Sequence, residues 1–147
     1  MIERALDNLI WELEWEKQNL HMLKASEQII KTIISDGNYL VYHDTLMFNY
    51  ICQAKCLTRE NRFDEAIEAL KKSYAHAVAW EEVRARAREK NEPLYYTSPI
   101  LQGHPFYINA LHVTGTSTAT EDFQEYLTQP EFDPLRERED FIELTKL

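Results

Sequence analysis

The chain has 147 residues, 44% hydrophobic and 12% aromatic, with 16 Lys and Arg against 25 Asp and Glu for a net charge of −9. That content fits a packed domain rather than a disordered chain, and so acidic a balance argues against direct nucleic-acid contact, which needs a basic face to neutralise phosphates. Only three glycines are present, too few for a phosphate-cradling loop, and there is no apolar run of about 18 residues to span a membrane.

Ile2, Leu6, Leu9, Ile10 and Leu13 recur at helical spacing with Glu and Arg between them. A second amphipathic stretch, marked by Leu20, Leu23, Ile30 and Ile34, runs to Ser35. The two form a first helical pair over 1–35, either continuous or broken near Trp15–Asn19. Ser35-Asp36-Gly37-Asn38 is a stop, with Gly37 suited to the left-handed position after a helix end. A third helix is expected from Tyr39 or His43 to Arg59. A fourth starts near Phe63, with Asp64 and Glu65 favourable at its N-terminal dipole, and runs to Arg88 or Lys90, its charged end reaching into water. Together they make a central unit over 40–90.

Pro93 closes that helix. Residues 93–119 contain no Asp, Glu, Lys or Arg, and 93–117 hold three prolines, two glycines and the aromatics Tyr95, Tyr96, Phe106 and Tyr107. An apolar loop of this length is expected to fold back on the helices, with a short helix or strand at Tyr107–Val113. Thr118 and Glu121 form a capping box that opens a short helix. Asp133-Pro134 places an N-cap residue before a first-turn proline, so a last helix should reach Lys146. The chain then reads as one all-α domain over 1–147: an α-hairpin stack of about six helices, closed by 118–147.

The stretch NRFDEAIEALKKSYAHA at 61–77 alternates large and small residues on its apolar stripe. Tyr50, Ala54 and Leu57 precede it, and Phe63, Ala66, Leu70, Ser73 and Tyr74 follow a turn at Arg59–Arg62. Residues 47–80 in this pattern resemble a tetratricopeptide repeat. The resemblance implies that Ala66 packs close to the third helix near Tyr50 and Ala54. Gln53, Leu57, Asn61 and Ser73 depart from the pattern, although Asn61 tolerates the left-handed backbone that glycine takes there. More loosely, SDGNYLVYHDTL, the repeat, YYTSPIL and PEFDPLRERED in this order are similar to the C-terminal halves of some bacterial helix-turn-helix transcription regulators. That resemblance implies a sensing or dimerisation module, with DNA gripped by a separate N-terminal domain; no basic recognition helix precedes Ile2.

In tetratricopeptide repeats the first helix of each pair lines the ligand groove. By that resemblance Phe48, Ile51, Cys52, Lys55 and Arg59 face a protein or peptide partner, with Lys55 and Arg59 able to hold a carboxylate. Burial of Phe48, Ile51 and Cys52 under neighbouring elements is the competing reading. Tyr95, Tyr96, Phe106 and Tyr107 form a lid or interface, or else cap the open end of the stack; self-association through exposed aromatics is a further alternative.

An enzyme is not expected. No nucleophile elbow or Ser-His-Asp order appears. Cys52 and Cys56, four apart within a helix, lack the knuckle spacing of structural zinc, although His104 and His112 leave a small metal-dependent or His-based enzyme as the alternative. His43 and Asp44, adjacent in sequence, read better as a helix start than as an acid–base pair. No cofactor or metal is expected, and two cysteines behind a leader-free N-terminus point to a cytoplasmic chain.

Overall fold

The computed structural model describes residues 1–90, 92–108 and 117–147. Among them are six α-helices, one 3-10 helix and a two-strand hairpin: α1 (Ile2–Glu14), α2 (Leu20–Ile33), α3 (Tyr42–Arg59), α4 (Phe63–Lys90), β1 (Leu94–Tyr95), β2 (Pro105–Phe106), α5 (Ala119–Leu127), the 3-10 helix Pro130–Leu135 and α6 (Glu139–Leu144). The fold is all-α. Among the described residues no helix is long and apolar enough to cross a membrane.

Local chemistry sets the boundaries. The first two helices are separate: α1 ends before Trp15, Lys17 turns left-handed at φ 52°, and the Asn19 side chain caps α2 by accepting from the Met22 amide. Gly37 (φ 80°) turns the chain after α2, and Asn61 (φ 59°) takes the left-handed position between α3 and α4. The Thr118–Glu121 capping box is complete. The closing segment differs from one continuous helix. Phe132 and Leu135 are both fully buried three residues apart, a spacing that suits three residues per turn, and the chain forms a 3-10 helix there before α6 starts afresh after Arg138. The Arg136 guanidinium donates to the carbonyls of Leu127, Thr128 and Gln129, holding the turn.

α3 and α4 are the centre of the molecule and its most extensively packed pair. α2 and the 3-10 helix pack on α3, α5 and α6 pack on α4, and α1 packs on α2. Ala54 and Ala66 are wholly buried in the same core as Tyr50, Leu57 and Leu70. The end of α4 does not simply project into water: Val83 and Ala87 form a buried stripe on it, while Glu82, Ala85, Arg86, Arg88, Glu89 and Lys90 are exposed.

Among the described residues of the uncharged loop, 93–108 fold back. Leu94, Tyr96, Leu101 and Phe106 join the main core, and β1 pairs with β2 antiparallel, Leu94 opposite Phe106. Asn38 Nδ2 donates to the Tyr95 carbonyl and to Thr97 Oγ1, each at 3.1 Å, and Thr97 donates to Asp36 at 2.5 Å, so the loop is tied to the α2–α3 turn. The element expected at Tyr107–Val113 lies mostly outside the described residues; Tyr107 and Ile108 carry no regular structure.

Candidate functional site

Thr45, Phe48, Cys52, Lys55 and Arg59 follow at intervals of three and four along α3, which places them on one helix face. The face is flanked on both sides. The Phe48 ring lies 5.6 Å from that of Tyr126 on α5, and the Lys17 ammonium sits 4.6 Å above its centroid. A cleft of about 320 Å³ runs along this stripe, lined by Glu16, Lys17 and Gln18 on one side, Glu131 on the other, and Phe48, Cys52, Lys55 and Arg59 on its floor. Four of the five groove residues expected from sequence therefore meet in one cleft. Ile51 does not join them: it is fully buried, because its angular position on α3 turns it into the main core.

The cleft holds three cations against two carboxylates, a positive spot on a negative chain. Lys55 Nζ lies 3.3 Å from Glu131 Oε1. The Glu131 carboxyl is held below the usual carboxylate range, by its own backbone amide first and then by Lys55 and Arg59. Arg59 donates to the Gln18 carbonyl at 3.1 Å and to Cys56 Sγ at 3.3 Å, which fixes the guanidinium at the cleft end. Cys52 and Cys56 are free, buried thiols packed with Leu23; burial pushes the Cys52 thiol up to about 11 despite the pull of Lys55 and Lys17.

Toward α1 the same face continues into a second cleft of about 300 Å³, lined by Asp7, Ile10, Trp11, Glu14, Trp15, Lys17, Thr45 and Phe48. Trp11 and Trp15 are 61% and 63% exposed. Sequence reasoning passed over them; the available signal is two indoles four apart on the polar flank of an amphipathic helix.

A third cleft, about 490 Å³, lies between α2, α3 and α4. Its polar floor is satisfied internally. Glu27 accepts from Lys31 and Tyr50, both at 2.6 Å, and from Gln53 at 2.8 Å. Burial opposes ionisation of Glu27, but these hydrogen bonds outweigh it and hold the carboxyl low. Gln53 donates onward to Asn49, and Asn49 to Glu14, so one polar chain links α2, α3 and α1. Neither this chain nor the pairing of His43 with His76 is visible from spacing, because each joins residues far apart in sequence.

The two imidazoles meet between α3 and α4, Nδ1 to Nδ1 at 2.9 Å, with Tyr39 edge-on to both and Tyr50 stacked on His76. His43 is thus engaged by a histidine from α4. His112 lies outside the described residues. Among the described residues no cluster of three or more His, Cys, Asp or Glu side chains is arranged to hold a metal ion.

The aromatic loop divides by burial. Tyr96 and Phe106 are buried, against Tyr42 at 6.2 Å and Trp80 at 6.0 Å. Tyr95 and Tyr107 are more than half exposed. Of the four aromatics expected to form a lid or interface, or to cap the stack, two face the core and two face outward, since strand alternation turns Tyr95 outward beside inward Leu94 and Tyr96.

Comparison with family models, with curated proteins and with solved structures finds no match to this chain.

Proposed function

We propose that this domain is a docking module that takes a protein or peptide segment along the face of α3 between the α1–α2 turn and the 3-10 helix, without bond chemistry. The regulator-like order of its segments supports a role as the sensing or dimerisation part of a bacterial transcription regulator or a free-standing relative. The observation that carries the docking reading is the Lys55–Glu131 contact of 3.3 Å at the rim of an aromatic-floored cleft. The chain already lays one of its own carboxylates there. The Glu131 side chain is 45% exposed, and ion pairs open to water are weak, about 0–1 kcal/mol, so an acidic side chain from a partner can displace it at little cost. An apolar neighbour in the partner would then lie over Phe48.

A random peptide display library selected on the intact chain tests this. Enriched peptides should pair Asp or Glu with a bulky apolar residue. Charge reversal at Lys55 and Arg59 should weaken them by roughly 10- to 100-fold while leaving the thermal melt nearly unchanged. Selected peptides whose affinity ignores both reversals would remove this groove.

A further inference from the structure

The cleft between α1 and α3 has a chemistry of its own. Asp7, Ile10, Trp11 and Glu14, with Trp15 at the C-cap, recur at three- and four-residue intervals, which brings them to one flank of α1 and its end, facing Thr45 and Phe48 of α3. Trp11 and Trp15 meet edge to face, 5.1 Å between centroids. Leaving two indoles mostly in water forgoes much of the hydrophobic stabilisation of their rings. Ile10 beside them is buried, so the helix itself is well seated.

Glu14 makes the cleft more than an apolar slot. It is 8% exposed, and its Oε1 accepts from Ser26 Oγ at 2.6 Å and from Asn49 Nδ2 at 2.5 Å. Among the described residues Oε2 accepts no hydrogen bond and Glu14 has no ion-pair partner. Asp7 uses Oδ1 for the Tyr42 hydroxyl at 2.7 Å, and its Oδ2 is free in the same sense. A buried carboxylate without a counter-charge is costly. The cation lining the cleft, Lys17, does not supply one: its ammonium rests on the Phe48 ring at 4.6 Å, outside ion-pair distance of Glu14. Lys17 does show that an ammonium sits on this aromatic wall.

The geometry points to a binding site for a guanidinium group, the side chain of an arginine on a partner. Three aromatic rings attract a cation by their quadrupoles, Trp most strongly. Two carboxylate oxygens that accept no hydrogen bond from the described residues offer sites for N–H donors, which a quaternary ammonium lacks and a guanidinium presents in a planar fork. The planar head stacks on an indole while its edge reaches Glu14, and a cleft of about 300 Å³ accommodates a head of that size. The site goes beyond the carboxylate-holding cleft, with which it shares only Lys17 and Phe48, and it requires no acidic partner to act.

The test uses the whole chain and its own fluorescence, since two of the three tryptophans line the cleft and Trp80 is buried. N-acetyl-arginine amide is titrated beside its uncharged isostere N-acetyl-citrulline amide and beside choline. A saturable change with the arginine probe, about tenfold weaker with choline and absent with citrulline, is the expected result. Glu14→Gln, which keeps an acceptor for Ser26 and Asn49, should weaken the arginine probe about tenfold. Lys17→Met, which removes the resident ammonium, should tighten it. Should Glu14→Gln melt early, Trp11→Leu, at an exposed ring, replaces it and should abolish saturation. A non-saturating arginine titration, equal responses to arginine and citrulline, or an affinity indifferent to both Glu14→Gln and Trp11→Leu overturns the assignment. Arginine binding that survives Lys55 and Arg59 reversal separates this site from the peptide groove, so either can fail alone.

Discussion

Ala66 is wholly buried on α4, in the same core as Ala54 on α3, where the two longest helices pack. A methyl group there lets the helices approach, and Leu would drive three more carbons into a packed interior. Ala66→Leu should cost roughly 1–3 kcal/mol, read as a lowered melting temperature; an unshifted melt would contradict the placement. The burial of Ala66 was legible because it falls on the apolar stripe of α4, where large and small residues alternate. The neighbouring departures from the repeat pattern have physical reasons that the pattern hides. Ser73 is buried and donates to the Met47 carbonyl across the interface at 2.8 Å. Gln53 bridges Asn49 and Glu27. Each polar residue at an apolar position is satisfied by a group more than twenty residues away, or by a chain that leads to one, and single-sequence spacing carries no record of such a partner.

At the scale of elements, caps carried the information and tertiary contacts overrode it in two places. The capping box at Thr118 fixed the start of α5 as read, because both of its hydrogen bonds are local: the Thr118 hydroxyl accepts from the Glu121 amide at 3.2 Å, and the Glu121 carboxylate accepts from the Thr118 amide at 2.7 Å. Thr118→Ala removes one of these, and the variant should lose about 0.5–2 kcal/mol, measurable as a shift in urea midpoint. Glu81 on α4 also accepts from the Thr120 amide and hydroxyl, at 2.8 and 2.7 Å, so the same end of α5 is fastened to the core helix. Glu81→Ala combined with Thr118→Ala should therefore exceed the single loss. The 3-10 turn at Pro130–Leu135 and the hairpin at Leu94–Phe106 escaped the periodicity because each is set by what it packs against. Phe132, Leu135, Leu94 and Phe106 are all buried in the main core, and segments this short carry too few residues to display a period.

Over the whole molecule, acid sensitivity converges on the α3–α4 junction. His43 and His76 are both held near 4 instead of 6.5, burial being the larger cause in each; Arg86 adds to it at His43, and His43 and Lys31 at His76, while Glu27 opposes. In the neutral pair one Nδ1 donates and the other accepts. Between pH 6.5 and 4 the unfolded chain takes up protons that the folded chain refuses, so stability is full above this window and falls as pH falls through it. The carboxyls of Glu27 and Glu81 are held below 4.5 in the folded chain and so act only at lower pH. A drop in urea midpoint from pH 7 to pH 5 is thus assigned to the histidines, and the His43→Gln, His76→Gln double variant should flatten it. A double variant with the parental slope would place the sensitivity elsewhere.

The paired thiols of α3 have a separate consequence. Cys52 and Cys56 both pack against Leu23 of α2, but Cys52 also borders the cleft beside Lys55 whereas Cys56 does not, and the Cys52 sulfur is reluctant to ionise. A disulfide reagent at neutral pH meets Cys56 only when α2 lifts away from the centre. The chain therefore carries its own stopwatch: the pace at which Cys56 is labelled counts the breathing of α2, without any probe being grafted on.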